Sequence, residues 1–198
     1  MVRILIRPAF LIVITLSSAL LAGCAGLSGD PYEQANGYVA EANEAIEEHN
    51  DLFEEARGTY DEAREIVEAG QTDSEDGSGV TAGQEEEEIA QARETMEEAQ
   101  YTLEEAREPL SELQDLDVDE EIIQYSVLLS ESVSAQLSAE NREIEFYELL
   151  EQDPTLADTR EEAVELLAEV GDGYEEARSS YDRAQELAAA NPDLIQES

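Results

Sequence analysis

Histidine and cysteine, two residue types that often carry protein chemistry, occur once each in this chain of 198 residues, as His49 and Cys24. A lone histidine at a helical core position can be a metal ligand or a pH-sensitive core group. Di-iron helical bundles need Glu-x-x-His, and Ile46 stands where the glutamate would be. No cysteine follows Cys24, so zinc and other transition-metal sites lack ligands. The sequence therefore predicts no metal site, and His49 is interpreted as a partly exposed polar residue that helps to fix helix register.

Hydroxyl and carboxylate side chains are abundant but lack catalytic spacing. The serines between positions 126 and 138 have no histidine near them in sequence to act as a base, and no Gly-x-Ser-x-Gly motif occurs. The acidic runs 85–88 and 117–121 lack the Asp-x-Asp-x-Asp-Gly pattern of an ordered calcium loop. We interpret these runs as solvated faces that bind divalent cations loosely at most. The sequence predicts no catalytic residue, no cofactor and no enzymatic activity.

The N-terminal segment carries a different chemistry. Arg3 and Arg7 precede an apolar run that ends at Ala22. This run is about 14 residues long, whereas a membrane span needs roughly 20. It leads into Leu21, Ala22, Gly23 and Cys24, which resemble the lipobox of a bacterial lipoprotein signal peptide. The resemblance implies that residues 1–23 are a signal peptide, and that Cys24 carries thioether-linked diacylglycerol and often an N-acyl chain such as palmitate.

Two other interpretations of this leader are an anchor helix and an ordinary secretory signal. The apolar run is short for an anchor, and an ordinary signal leaves the single cysteine unexplained. Two or three acyl chains are enough for stable attachment to a bilayer. The resemblance therefore implies an extracytoplasmic protein, lipid-anchored to the cell membrane. Because Ala25 follows the cysteine, the outer membrane is a compatible location in a cell with two membranes.

The charge of the chain excludes two classes of partner. It has 51 acidic residues against 10 basic ones, all of them arginine, which gives a formal net charge of −41. Nucleic acid and the anionic surface of a bilayer both repel such a chain. It also has no tryptophan and only three phenylalanines. A core this thin favours an elongated helical bundle over a globular enzyme.

Heptad spacing predicts an all-α fold, an elongated antiparallel bundle of about four long helices with coiled-coil-like packing. The bundle domain spans 31–198 and follows a short tether, 24–30. Alternating steps of four and three place one row of core residues on each of three segments. These rows are Ala35, Val39, Ala42, Ile46, His49, Phe53, Ala56, Tyr60, Ala63 and Val67; Ile89, Ala92, Met96, Ala99, Leu103, Ala106, Leu110 and Leu113; and Ala163, Leu167, Val170, Tyr174, Ala177, Tyr181 and Ala184.

Capping and breaking residues set the expected ends of these helices. Asp30 is the predicted N-cap of a helix that starts at Pro31 and stops at Gly70. The stretch 70–83 is predicted to be a flexible acidic loop. Pro109 should kink or break the second helix, which begins near Gln84. A cap at Asp117 and Glu120 opens the third helix, and the pair Asp153-Pro154 opens the fourth. Gly171 and Gly173 leave open whether the fourth segment is one helix or two.

Four tyrosines fall on or near the predicted core rows, and parts of the helical segments resemble one another in sequence. The predicted core tyrosines, with hydroxyls in water, are Tyr32, Tyr60, Tyr174 and Tyr181. The segments 53–66, 96–109 and 174–187 share an alanine, glutamate and arginine pattern that fits either duplication or ordinary heptads. Residues 163–194 also resemble the second helix of a tetratricopeptide motif, on Gly171, Tyr174, Ala177, Tyr181, Ala184 and Pro192.

Together these features predict a structural or adaptor role at the cell envelope, through contact with an envelope protein. The alternatives are a module that binds a cationic solute or a peptide at the membrane surface, and a tetratricopeptide-like scaffold. A pocket between helices lined by tyrosine and acidic residues would favour the binding module.

Overall fold

The computed structural model describes residues 30–72 and 83–191, and the side chains of 67–72 lie outside that description. It contains helices α1 (Pro31–Thr72), α2 (Gln84–Glu105), α3 (Arg107–Gln114), α4 (Glu120–Gln152) and α5 (Arg160–Ala190). Because α2 and α3 continue each other, the molecule is a bundle of four long helices packed antiparallel. The described residues include no strand. The predicted fold class is confirmed.

The break between α2 and α3 lies where the proline predicts it. Pro109 has no N–H to offer the carbonyl of Glu105, and α2 ends at that residue. The Ala106 N–H turns to the carbonyl of Leu103 at 3.1 Å, one residue short of the α-helical partner. Ala106 and Pro109 are both buried, so the break lies against the core and not at a frayed end.

Several predicted helix ends need correction. The helix α1 does begin at Pro31, where the Tyr32 N–H donates to Asp30 at 3.0 Å. It continues through Gly70 to Thr72, because a glycine ends a helix only where the chain turns. The first three residues of the predicted loop 70–83 are therefore helical, and 73–82 lie outside the described residues. The predicted cap at Asp117 and Glu120 is wrong, because the residue that precedes α4 is Asp119. Asp119 is extended and makes no side-chain cap.

The pair Asp153-Pro154 does not open a helix, which contradicts the prediction. Asp153 is the C-cap of α4, and α5 starts only at Arg160. The Asp153 carboxylate accepts hydrogen bonds from the Asp158 N–H at 2.9 Å and from the Thr159 hydroxyl at 3.1 Å. The same side chain type that caps helices therefore closes a turn here. Hydrogen bonds led by that from the Asp158 N–H lower the pKa of Asp153 to about 2.

The two glycines in the fourth segment do not divide it, since α5 is continuous from Arg160 to Ala190. They differ in their surroundings. A Cβ on Gly173 would lie 2.9 Å from the Cβ of Ala139 on α4, whereas a Cβ on Gly171 would meet nothing within 4 Å. Gly173 therefore permits the close approach of α4 and α5.

The core rows predicted from the heptads are buried, apart from the half-buried Tyr60, Leu167 and Tyr181 and from Val67, which lies outside the described side chains. The buried apolar residues form two clusters. One joins the first half of α1 to α3, the start of α4 and Ala184, and the other joins the second half of α1 to the start of α2, the end of α4 and the start of α5. Both ends of the bundle thus draw on all four long helices.

The four helices are not equally close. Among the described residues, Cα atoms within 8 Å of each other join α1 to α2, α2 to α4, and α4 to α5, but none joins α1 to α4 or α1 to α5. The contacts of α1 with α4 and α5 are therefore made by side chains and not by closely spaced backbones. Those side chains include the polar groups described next.

Candidate functional site

An open acidic groove lies beside the break between α2 and α3. Its volume is about 550 Å³. Six glutamates surround it together with the ring of Tyr38 and the buried Ala45 and Pro109. The glutamates are Glu41, Glu44, Glu48, Glu105, Glu108 and Glu112. This is a pocket between helices lined by tyrosine and acidic residues.

The groove follows from the helical register. Glu41, Glu44 and Glu48 are spaced by three and four residues, and so are Glu105, Glu108 and Glu112. Such spacing aligns side chains on one face of a helix. All six glutamates are exposed, and no lysine or arginine lines the groove. The predicted acidic runs 85–88 and 117–121 lie elsewhere. The sequence signal that was missed is a row of glutamates beside the core row of α1, together with a second such row around the helix break at Pro109.

A buried polar layer crosses the bundle at the level of His49. Contrary to the prediction of partial exposure, His49 is 0 % exposed. Its Nε2 lies 2.8 Å from Oε1 of Glu140 on α4, which is also 0 % exposed. Its Nδ1 lies 3.3 Å from Oδ1 of Asn50, and Gln136 donates to the same Glu140 oxygen at 3.1 Å. The Nε2 atom of His49 also lies 3.4 Å from Nε2 of Gln136, so the histidine, the glutamine and the glutamate form one buried polar group that joins α1 to α4.

Two turns further along α1, Arg57 makes a second polar contact with α4. Its guanidinium donates to both oxygens of Glu143, at 3.0 and 2.9 Å. The hydroxyls of Tyr147 and Tyr174 donate to the same carboxylate, at 2.9 and 2.7 Å. Arg57 also lies over the ring of Phe53, 4.9 Å from its centroid. The Glu143 carboxylate thus joins three helices.

Burial and charge shift the pKa values of these groups in consistent directions. Burial lowers the pKa of Arg57, but the facing Glu143 carboxylate more than offsets this, so the pKa lies above its ordinary value. Burial, followed by the Glu143 charge, raises the pKa of Tyr147 and of Tyr174 well above 10. Burial also raises the pKa of Tyr60 to about 12. The network therefore keeps the arginine charged and the phenols neutral.

The remaining predicted residues have different positions. Tyr32 is 44 % exposed and is not a core residue, because it occupies the first turn of α1 beyond the end of the apolar cluster. The hydroxyl of the core residue Tyr174 faces a carboxylate and not water. Ser126 and Ser132 are buried and donate to the carbonyls of Leu110 and Ala177, so they tie helices together. Leu21, Ala22, Gly23 and Cys24 lie outside the described residues.

Two structural properties bear on metal and membrane binding. In 30–72 and 83–191, no group of three or more His, Cys, Asp or Glu side chains is arranged to hold a metal ion. Among the helices described, none combines the length and apolar character of a membrane span.

Comparison with known proteins adds no relative: no family model, no curated protein and no solved structure matches this chain.

Proposed function

We propose that this protein is a lipid-anchored, extracytoplasmic helical bundle with a structural or adaptor role at the cell envelope. The observation that supports the anchor is the sequence Leu21-Ala22-Gly23-Cys24 after a short apolar run. The bundle then projects from the membrane, since α1 alone has 42 residues and at 1.5 Å per residue is about 63 Å long. Its acidic surface would attract a cationic envelope protein.

The anchor is tested by Cys24→Ala. Without the thiol no diacylglycerol can be attached, so we expect the variant to move from the membrane fraction to the soluble fraction or to remain as an uncleaved precursor of higher mass. Cell fractionation with mass spectrometry of the N-terminus measures both. A matched control is Ser28→Ala, which leaves the lipobox intact and should stay lipidated. A Cys24→Ala protein that is processed and bound like the parent would contradict the proposal.

A second candidate function is the capture of a multivalent organic cation, and the acidic groove favours it. Tyr38 offers a ring face, and six carboxylates surround a space large enough for a small solute. A polyamine matches these features, because several ammonium groups can each face a carboxylate while the alkyl chain covers the ring. Spermine is a suitable probe.

The groove is tested by titrating spermine into the protein at physiological salt in a calorimeter. We expect the triple variant Glu44→Gln, Glu108→Gln, Glu112→Gln to bind about tenfold more weakly, since three exposed charge contacts are each worth about 0.5 kcal/mol. The control variant Glu161→Gln, Glu165→Gln, Glu176→Gln removes the same charge from exposed positions of α5 and should bind as the parent does. Equal weakening in both variants would show attraction to net charge alone.

The tetratricopeptide-like scaffold remains a prediction. Its residues 163–190 form part of the single helix α5.

A further inference from the structure

The first turns of α1 add little to the core. Of residues 31–36 only Ala35 is buried, and the next buried side chain is that of Val39. Both pack in the apolar cluster that joins α1 to α3 and the start of α4. Segments with few buried apolar contacts open locally at a lower free energy than the whole fold. We therefore expect the start of α1 to open without global unfolding.

A chemically labile pair, an asparagine followed by a glycine, lies in this segment. Asn36-Gly37 is the only such pair among the five asparagines of the chain, since the other four precede glutamate, aspartate, arginine or proline. Gly37 is exposed, and a Cβ built on it would meet nothing within 4 Å, so packing does not require a glycine here. A glycine inside a helix costs stability relative to alanine, and this one has no packing role to offset that cost.

We propose that Asn36 is a site of spontaneous deamidation, which the folded α1 suppresses and which reacts when residues 31–37 open. The backbone nitrogen of Gly37 attacks Cγ of Asn36. The N–Cγ bond forms, the Cγ–Nδ2 bond breaks, and ammonia leaves with the proton of the Gly37 N–H. Water then opens the cyclic imide at either carbonyl and leaves aspartate or isoaspartate. The reaction needs only water and is independent of the membrane anchor and of the groove.

The helix opposes this reaction in two ways. Within α1 the Gly37 N–H points to the carbonyl of Glu33, four residues earlier, so the attacking nitrogen is engaged in the helix. The imide ring also closes only when Cβ of Asn36 lies in the plane of the following peptide bond, which the helical ψ of about −42° does not allow. Both restraints are lost only when Ala35 and Val39 leave the apolar cluster.

The two products affect α1 differently. Aspartate keeps the normal backbone and adds one negative charge. Isoaspartate carries the chain through its side chain and so adds one carbon atom to the backbone. This atom disturbs the four-residue spacing that places Ala35 and Val39 on one face of the helix. Formation of isoaspartate therefore keeps the start of α1 from returning to the core, and it displaces Tyr38, which lines the acidic groove.

Peptide mapping by mass spectrometry measures deamidation in the full chain, purified in detergent and kept in mildly alkaline buffer with or without urea. We expect Asn36 to react about tenfold to a hundredfold more slowly in the folded protein than in urea, the factor that corresponds to burial of one valine side chain. Gly37→Ala should slow the reaction in both conditions, because a methyl group hinders attack by the backbone nitrogen. Asn36 should be the first asparagine to react in both.

Two valine substitutions distinguish local opening from global unfolding. Val39→Ala and Val170→Ala each remove part of a buried side chain, one beside the site on α1 and one in the other apolar cluster on α5. We expect Val39→Ala to accelerate deamidation of the folded protein, whereas Val170→Ala should leave the parent rate unchanged. Urea unfolding measures the stability that each variant loses. Neither substitution should change the rate in urea.

Four results would overturn the proposal. The first is an equal rate at Asn36 in the folded protein and in urea, which would show that α1 does not protect the site. The second is an Asn36 that stays intact in the folded protein beyond the expected slowing. The third is an acceleration by Val170→Ala that matches that by Val39→Ala, which would indicate global unfolding. The fourth is earlier deamidation of another asparagine.

Discussion

Tyr125 and Tyr174 are both buried core tyrosines, yet their hydroxyls have different surroundings. The Tyr174 hydroxyl donates to Glu143 at 2.7 Å, whereas the Tyr125 hydroxyl has no hydrogen-bond partner. Burial raises the pKa of Tyr125 to about 12 without any compensating contact. Because the folded state disfavours ionisation of the Tyr125 phenol, its contribution to stability is complete below about pH 10 and is lost as the pH rises through about 12.

This difference predicts opposite results for the same substitution. Tyr174→Phe removes a hydrogen bond to a charged group and should lower the free energy of unfolding by about 2 kcal/mol. Tyr125→Phe removes only a desolvated hydroxyl and should leave stability unchanged or raise it by up to about 1 kcal/mol. Urea unfolding followed by circular dichroism measures both. Equal losses in the two variants would contradict the hydrogen-bond assignment.

The sequence predicted the position of His49 on the core row but not its partners. Glu140 and Glu143 belong to α4, whose heptad pattern is loose, and in a chain with 51 acidic residues nothing local separates a buried glutamate from an exposed one. Glu140 and Glu143 are buried because α1 packs against their side of α4, and the sequence of α4 alone does not show which helix packs there. A histidine at a core position does call for a buried acceptor, and that requirement is the only signal in the sequence that pointed to them.

At the scale of the helices, Gly173 and Gly171 provide a matched pair two residues apart on α5. We expect Gly173→Ala to destabilise the bundle by about 1–3 kcal/mol, because its Cβ would meet Ala139 at 2.9 Å and overpacking a close junction carries such a cost. Gly171→Ala meets nothing and should stabilise by about 0.5–1 kcal/mol through helix propensity. Thermal unfolding of both variants measures this. A stabilising Gly173→Ala would show that α4 and α5 can move apart freely.

The helices could be predicted from the sequence where neighbouring residues alone determine where a helix breaks or which of its faces is buried. The break at Pro109 follows from a missing N–H, and the core rows follow from spacing alone. Asp153-Pro154 misled because aspartate accepts from any nearby N–H, and whether those N–H groups belong to a helix or to a turn depends on the chain that follows. The acidic groove needed both the stripe on α1 and the break after α2 to face each other.

At the scale of the whole molecule, the net charge of −41 dominates. We expect the melting temperature to rise with NaCl from low ionic strength, since screening reduces repulsion between exposed carboxylates. Each 1 kcal/mol gained corresponds to about 2–4 °C for a chain of this size. Calorimetry at matched ionic strengths of NaCl and MgCl₂ provides the control, since equal responses indicate screening alone. A flat or falling response to NaCl would contradict the prediction.

The antiparallel order of the helices also fixes the polarity of the molecule. The start of α1 packs in the same apolar cluster as Ala184, near the end of α5, so both ends of the described bundle emerge on one side. The turn at 153–159 lies at the opposite end of the bundle, and the acidic groove lies in the half that contains Asp30 and Asn191. A surface linked directly through Asp30 or through Asn191 would therefore face the same end of the bundle and leave the 153–159 turn accessible.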